Sequence, residues 1–203
     1  MMKMLKFPFA VVLLALTACA GKPQPPVTEY ALSPPMQIRG MTEASSPLTL
    51  RLASVTASRI YQGPEFYYVD GNYRRNPYAW SRWVDAPVRM LRMVLQDGLE
   101  QSGLFRAVLP PSSRLRADLR LEITLYDFSH HLNDGQASQA VVRLGAHLLD
   151  ARKGKLLASR RFEAGVPTAG DGAPAGVAGI NAAVARILPD LLAWLRDSLG
   201  KAS

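Results

Sequence analysis

Between Ala117 and Asp150 the apolar residues return to every second position twice over, and that spacing commits the middle of the chain to a β-sheet. Leu119, Leu121, Ile123 and Leu125 alternate with polar residues, as do Val142, Leu144, Ala146 and Leu148 on the return, and a period of two marks a strand with one buried face. Asp134-Gly135 lies between the runs, and Asp-Gly is a strong two-residue hairpin signal. Centring the hairpin on that turn sets Leu121 opposite Leu148, Ile123 opposite Ala146 and Leu125 opposite Leu144. One register thus gathers both apolar sets on one face and pairs Glu122 with His147 and Tyr126 with Arg143 on the other.

The flanking segments build outward from this hairpin. Leu48–Leu52 alternates as a strand, and the aromatic run Glu65–Tyr73 contains an Asp70-Gly71 turn. Asp85-Ala86-Pro87 opens a helix: Asp85 is placed to cap it and Pro87 suits its first turn. Val84, Val88, Leu91, Leu95 and Leu99 form its apolar stripe, and Ser102-Gly103 ends it. Leu104–Leu109 is a short strand stopped by Pro110-Pro111. After a second turn at Arg152-Lys153-Gly154, the strand Lys155–Glu163 buries Leu156, Ala158 and Phe162, which also aims Arg160 inward at an edge or rim position. Residues 165–176 are rich in Gly and Ala and read as a mobile loop. Ile180, Val184, Ile187, Leu188, Leu191 and Leu195 form a closing amphipathic helix that Pro189 should kink or restart. The expected fold class is α+β: a mixed, largely antiparallel sheet with two amphipathic helices packed on one face.

The N-terminus says where such a domain works. Lys3 and Lys6 precede the apolar run Phe7–Leu16, which is too short to span a bilayer, and small residues follow, as in a secretory signal peptide. Leu16-Thr17-Ala18-Cys19 contains the only cysteine and resembles the lipobox of bacterial lipoproteins. The resemblance implies that residues 1–18 are removed and Cys19 becomes an acylated N-terminus, with enough acyl chains for stable anchoring. Ala20, where lipoproteins kept at the inner membrane carry Asp, favours the periplasmic leaflet of the outer membrane. Residues 19–46 are then a Pro-rich tether with a candidate edge strand at 30–32, and residues 47–200 form one domain. Removing residues 1–18 takes away Lys3 and Lys6 and no acid, so the net charge falls from +8 to +6. Outside the cytoplasm such a charge suits anionic lipid headgroups or an acidic protein face rather than nucleic acid. An acylated Cys19 leaves no thiol, so packing rather than a disulfide must hold the fold.

No motif for catalysis emerges. Gly-x-Ser-x-Gly, His-Glu-x-x-His, a phosphate-cradling glycine loop and paired cysteines are all lacking. His130 and His131 are adjacent on a strand and face opposite ways, and His147 is distant from both, so no metal site assembles. A non-enzymatic chain without a cofactor is the expectation. The densest binding chemistry is aromatic and basic: Tyr67, Tyr68, Arg74, Arg75, Tyr78, Trp80, Arg82 and Trp83. These residue types are enriched at interface hot spots, although for most of them rings packed into the core and arginines left in solvent are the better account.

The lipobox, Tyr30-x-Leu32, the stretch ending in Arg82-Trp83, Ala86-Pro87, Leu95, Leu99, Gly103-Leu104-Phe105 and Val108 together resemble the ABC-type transport auxiliary lipoproteins, the PqiC group. Leu149-Asp150, Gly154-Lys155-Leu156-Leu157 and Arg161-Phe162 fit the same pattern. The resemblance implies a periplasm-facing outer-membrane lipoprotein that docks an intermembrane lipid transport system. Its partners would be an MCE-domain protein and an inner-membrane transport component, with phospholipid and further copies of the chain as additional candidates. The competing reading is a structural lipoprotein for outer-membrane assembly or cell-wall binding. A lipid-carrying chaperone would require an apolar cavity.

Overall fold

The structure, a computed structural model, describes residues 24–36, 38, 46–71, 73–132 and 137–200. The leader, Cys19 and the Asp134-Gly135 turn lie outside the described residues. Along the chain the elements are β1 (Thr28–Tyr30), β2 (Ser46–Leu52), β3 (Thr56–Ala57), β4 (Glu65–Val69), β5 (Arg75–Trp83), α1 (Pro87–Gln101), β6 (Phe105–Leu109), β7 (Leu119–His131), β8 (Gln139–Asp150), β9 (Lys155–Pro167) and α2 (Ala173–Gly200). The fold is α+β, as the spacing predicts.

The 13-residue strand β7 is the spine. One edge of it carries the antiparallel meander β7–β8–β9. Along its other edge β2, β3 and β4 follow one another, all parallel to it. The sheet then widens at both ends: β6 adds in parallel to β2, and β5 adds antiparallel to β4, with β1 beyond β5. Both helices cover one face. α2 lies across β7, β8 and β9, while α1 packs against β6 and touches α2. Gly98 makes that crossing close, since a Cβ there would meet the Leu188 side chain at 2.7 Å.

The hairpin register holds through Leu125: Leu121 faces Leu148, Ile123 faces Ala146 and Leu125 faces Leu144, all buried. Tyr126 does not pair with Arg143. A β-bulge intervenes, Asp127 takes that place, and from there Phe128 and His130 point toward the helices while Asp127, Ser129 and His131 turn to the uncovered face. A second irregularity near Leu148–Leu149 puts Leu156 opposite Leu149 on the uncovered face, where it is exposed rather than buried. Phe162 is buried as expected, and Arg160 sits at the rim with its guanidinium 5.1 Å from the Phe162 ring centroid.

The helix edges show smaller departures. Ala86, not Asp85, is the N-cap of α1, and Asp85 instead accepts the Ala86 N–H and pairs with Arg89. Val84 precedes the helix and is exposed, whereas Leu91, Leu95 and Leu99 are buried. Gly103, at φ +64°, turns the chain out of α1 as anticipated. Residues 165–167 belong to β9 and 173–176 to α2, so the connection is only five residues long. α2 runs unbroken through Pro189, which lies on its exposed side where water can take the carbonyl that proline releases. The edge strand falls at Thr28–Tyr30, and Leu32 and Pro34 behind it are buried, with the Ser33 N–H donating to Asn181 Oδ1 at 2.6 Å. Residues 28–34 therefore pack on the domain.

Candidate contact site on the β4–β5 arm

The eight aromatic and basic residues singled out by sequence all lie on β4, β5 or their connection, and the two strands sort them by face. Phe66, Tyr68, Tyr78 and Trp83 point to the helix side. Phe66 stacks within 5.0 Å of Tyr78 and 4.9 Å of Trp83, and Trp83 lies 5.4 Å from Phe128. Trp83 is 1% exposed and anchors the arm in the core, so it offers no surface to a partner. Tyr68 is half-buried against Tyr78, with ring centroids 4.9 Å apart.

Tyr78 leads into a polar network beneath the start of α2. Its hydroxyl lies 2.8 Å from His130 Nδ1 and donates to the Asp171 carbonyl at 2.8 Å, while His130 Nε2 lies 2.9 Å from Thr168 Oγ1. A neutral imidazole carrying its proton on Nδ1 satisfies all three contacts. Burial pushes the His130 imidazole below the ordinary histidine value and the Tyr78 hydroxyl up, the latter helped by Asp171 and Tyr68. Gly176 permits this packing, because a Cβ there would come within 2.7 Å of His130 Nδ1.

Arg75 lies on the uncovered face in a second network that the sequence did not disclose. Its Nη1 donates to Tyr61 Oη at 2.9 Å, Ser129 Oγ at 3.1 Å and Asp127 Oδ1 at 3.2 Å. Tyr61 Oη donates to Asp127 Oδ1 at 3.0 Å, and His131 Nε2 lies 3.2 Å from Asp127 Oδ2. Burial pushes the Asp127 carboxyl up, but hydrogen bonds from His131, Arg75 and Ser129 outweigh it and hold the group well below the usual carboxylate range. Tyr61 is pushed up to about 12 by burial and then by the Asp127 charge. The signal for this site was in the sequence. Apolar positions run odd through Leu125 and become even at Phe128, a change of phase that requires one extra residue in the strand.

What remains at the surface is a smaller set. Trp80 is 42% exposed and Tyr73, at the β4–β5 connection, is 95% exposed. Arg74 pairs with Asp70 at 2.9 Å, and Arg82 with Glu29 of β1 at 2.6 Å, both in solvent. Tyr67 is half-buried. Among the described residues no three His, Cys, Asp or Glu side chains gather as a metal site.

Comparison with known families settles the kinship. The family model described as "ABC-type transport auxiliary lipoprotein component" matches residues 30–191. The chain belongs to that family. A comparison with curated proteins finds no match. Among solved structures, a Xanthomonas campestris protein assigned to the family DUF330 is 22% identical, covers 86% of this chain and 98% of its own, and superposes with a TM-score of 0.77. A second, described only as an uncharacterized protein, is 18% identical, covers 84% of this chain and 99% of its own, and gives a TM-score of 0.65. At these identities the likeness is one of fold.

Proposed function

We propose that this auxiliary lipoprotein is a non-catalytic docking subunit of an intermembrane lipid transport system. Acylated Cys19 holds it to the periplasmic leaflet of the outer membrane, and the domain captures an MCE-domain protein that connects to an inner-membrane component. The observation that carries the reading is the family match across residues 30–191. The lipobox resemblance at Leu16–Cys19 supports the anchor, and Ala20 supports the outer membrane.

The docking surface would be the part of the arm that solvent reaches: exposed Tyr73, Arg74 and Trp80, with half-buried Tyr67. Beyond the three residues paired with β1, the outer edge of β5 has no strand partner among the described residues, and Pro77 there has no N–H to offer. An exposed aromatic and a solvent-facing arginine beside a strand edge match the composition of protein interfaces.

Purification of the acylated protein from gently solubilised envelopes, with mass spectrometry of its companions, tests this directly. An MCE-domain protein at near-stoichiometric yield is expected. Recovery of an outer-membrane barrel or wall fragments instead would transfer the chain to the structural-assembly reading. Arg74→Ala combined with Trp80→Ala should weaken partner capture by about tenfold or more without changing the circular dichroism spectrum. Unchanged capture would remove the arm as the docking surface.

A further inference from the structure

At the end of the uncovered face opposite to Asp127, four arginines line one open pocket. Arg51 of β2 and Arg120 of β7 are direct neighbours in the parallel register of those strands. Arg116, on the approach to β7, and Arg152, in the turn after β8, complete the wall with Ala117 and Ala151 between them. The cavity holds about 590 Å³, within the range of small-ligand sites.

The charge on this wall is not balanced from within. Asp118 accepts Arg152 Nη2 at 2.5 Å, but its other oxygen is already committed to the Thr49 N–H at 2.9 Å and hydroxyl at 2.8 Å. Glu122 takes Arg120 Nε at 3.0 Å. Arg51 donates through Nη2 to the Leu115 carbonyl, while its Nε is buried with no hydrogen-bond partner. Arg116 has no acceptor among the described residues. Two carboxylates pair directly with the four guanidinium groups and a third, Asp150, acts on Arg152 without an ion pair, so the wall keeps an excess of positive charge, and like charges set directly opposite one another across a sheet are destabilising. Unused N–H groups held at the wall of a concave site are the arrangement that an oxyanion relieves, because a guanidinium fork matches phosphate geometry through paired, charge-assisted hydrogen bonds.

We propose that this pocket binds a phosphate group, free or esterified, with Arg51, Arg116, Arg120 and Arg152 as its donors. Two sources offer that chemistry: the headgroup of a glycerophospholipid and a soluble phosphate. Leu115, 67% exposed beside Arg116 and bonded through its carbonyl to Arg51, is an apolar neighbour of the site that the acylated part of a lipid would meet and inorganic phosphate would not. The site rests on the pocket alone. Its lipid form deepens the transport reading by placing a phospholipid headgroup on this subunit.

Isothermal titration of the full acylated chain, in a neutral and phosphate-free detergent at constant ionic strength, separates the outcomes. The probes are inorganic phosphate and glycerophosphoglycerol, the deacylated headgroup of phosphatidylglycerol. Saturable one-site binding is expected, weakened about tenfold or more by Arg116→Gln with Arg120→Gln and unchanged by Arg92→Gln on α1. Tighter binding of glycerophosphoglycerol assigns the site to lipid, and tighter binding of phosphate assigns it to a soluble anion. If neither probe saturates the wild-type protein, the proposal fails. It also fails if Arg116→Gln alone, at an exposed position where misfolding is not expected, binds both probes at wild-type affinity. Partner capture is measured separately through Trp80, so loss of the docking reading would leave this result standing, and the reverse.

Discussion

The uncovered face of the sheet holds arginines at both ends of β7, and the two ends treat them in opposite ways. At the C-terminal end Arg75, its side chain still 35% exposed, directs its Nη groups to Asp127, Tyr61 and Ser129, which are themselves buried. At the N-terminal end Arg51, Arg116, Arg120 and Arg152 outnumber their carboxylates and open onto solvent. One end is a satisfied polar joint that fastens β5 to the spine, and the other is a reserve of unspent donors. Residue type is the same at both ends; the ratio of acceptors to donors distinguishes structure from binding capacity.

Removing the acceptor from the closed end is the severest way to break this contrast. Asp127→Ala strands the Tyr61 hydroxyl and the Arg75 guanidinium beside a lost charge, and a loss of about 3 kcal/mol is expected in urea denaturation. Arg116→Gln at the open end should change stability by no more than about 0.5 kcal/mol. A comparable loss from both variants would mean that the four-arginine wall is also structural.

Acid should separate the faces of β7 by the pH at which each responds. Asp127 has a folded value below the ordinary carboxylate value, so its contribution is present above about pH 4 and is lost as pH falls toward the folded value. His130 also has a lowered folded value: the unfolded chain takes the proton first, and stability declines as pH falls through about 6.5. Denaturation midpoints followed from about pH 8 to about pH 3 should show both declines. His130→Gln should flatten only the upper one and Asp127→Asn only the lower. A single decline, insensitive to either change, would overturn this assignment.

The smallest effect expected is on salt dependence. Screening the arginine wall should stabilise the wild-type protein by about 0.5 kcal/mol between low and moderate ionic strength. Arg116→Gln with Arg120→Gln should abolish that gain, as thermal melts in sodium chloride would show. An undiminished gain would place the repulsion elsewhere.

The hairpin pairing from Leu121 to Leu125 was legible because alternation, a local property, sets the buried face of both strands, whereas beside the turn His131 pairs with Gln139, one residue off the spacing that a two-residue turn predicts. Both amphipathic helices were legible for the same reason. Tyr126 escaped because a bulge reveals itself only as a change of phase between Leu125 and Phe128, two residues past the last clean alternation. The parallel seating of β2, β3 and β4 along β7 left no such trace, since those partners are separated by more than sixty positions in the chain. Trp83 and Trp80 illustrate the same limit at the candidate site. They sit three residues apart with similar neighbours, yet one is core and the other surface.

By itself, the sequence determined most of the elements, the buried faces of the hairpin as far as Leu125 and of both helices, the resemblance at Cys19 and the kinship across residues 30–191, because periodicity, turn residues and motifs act over short spans. Tertiary structure alone decided which arginines have carboxylates within reach. Asp127 meets Arg75 across 52 residues and Arg51 faces Arg120 across the β2–β7 seam, contacts created by strand pairing and a one-residue bulge. Charge can be counted along a chain, but its neutralisation depends on distance in three dimensions.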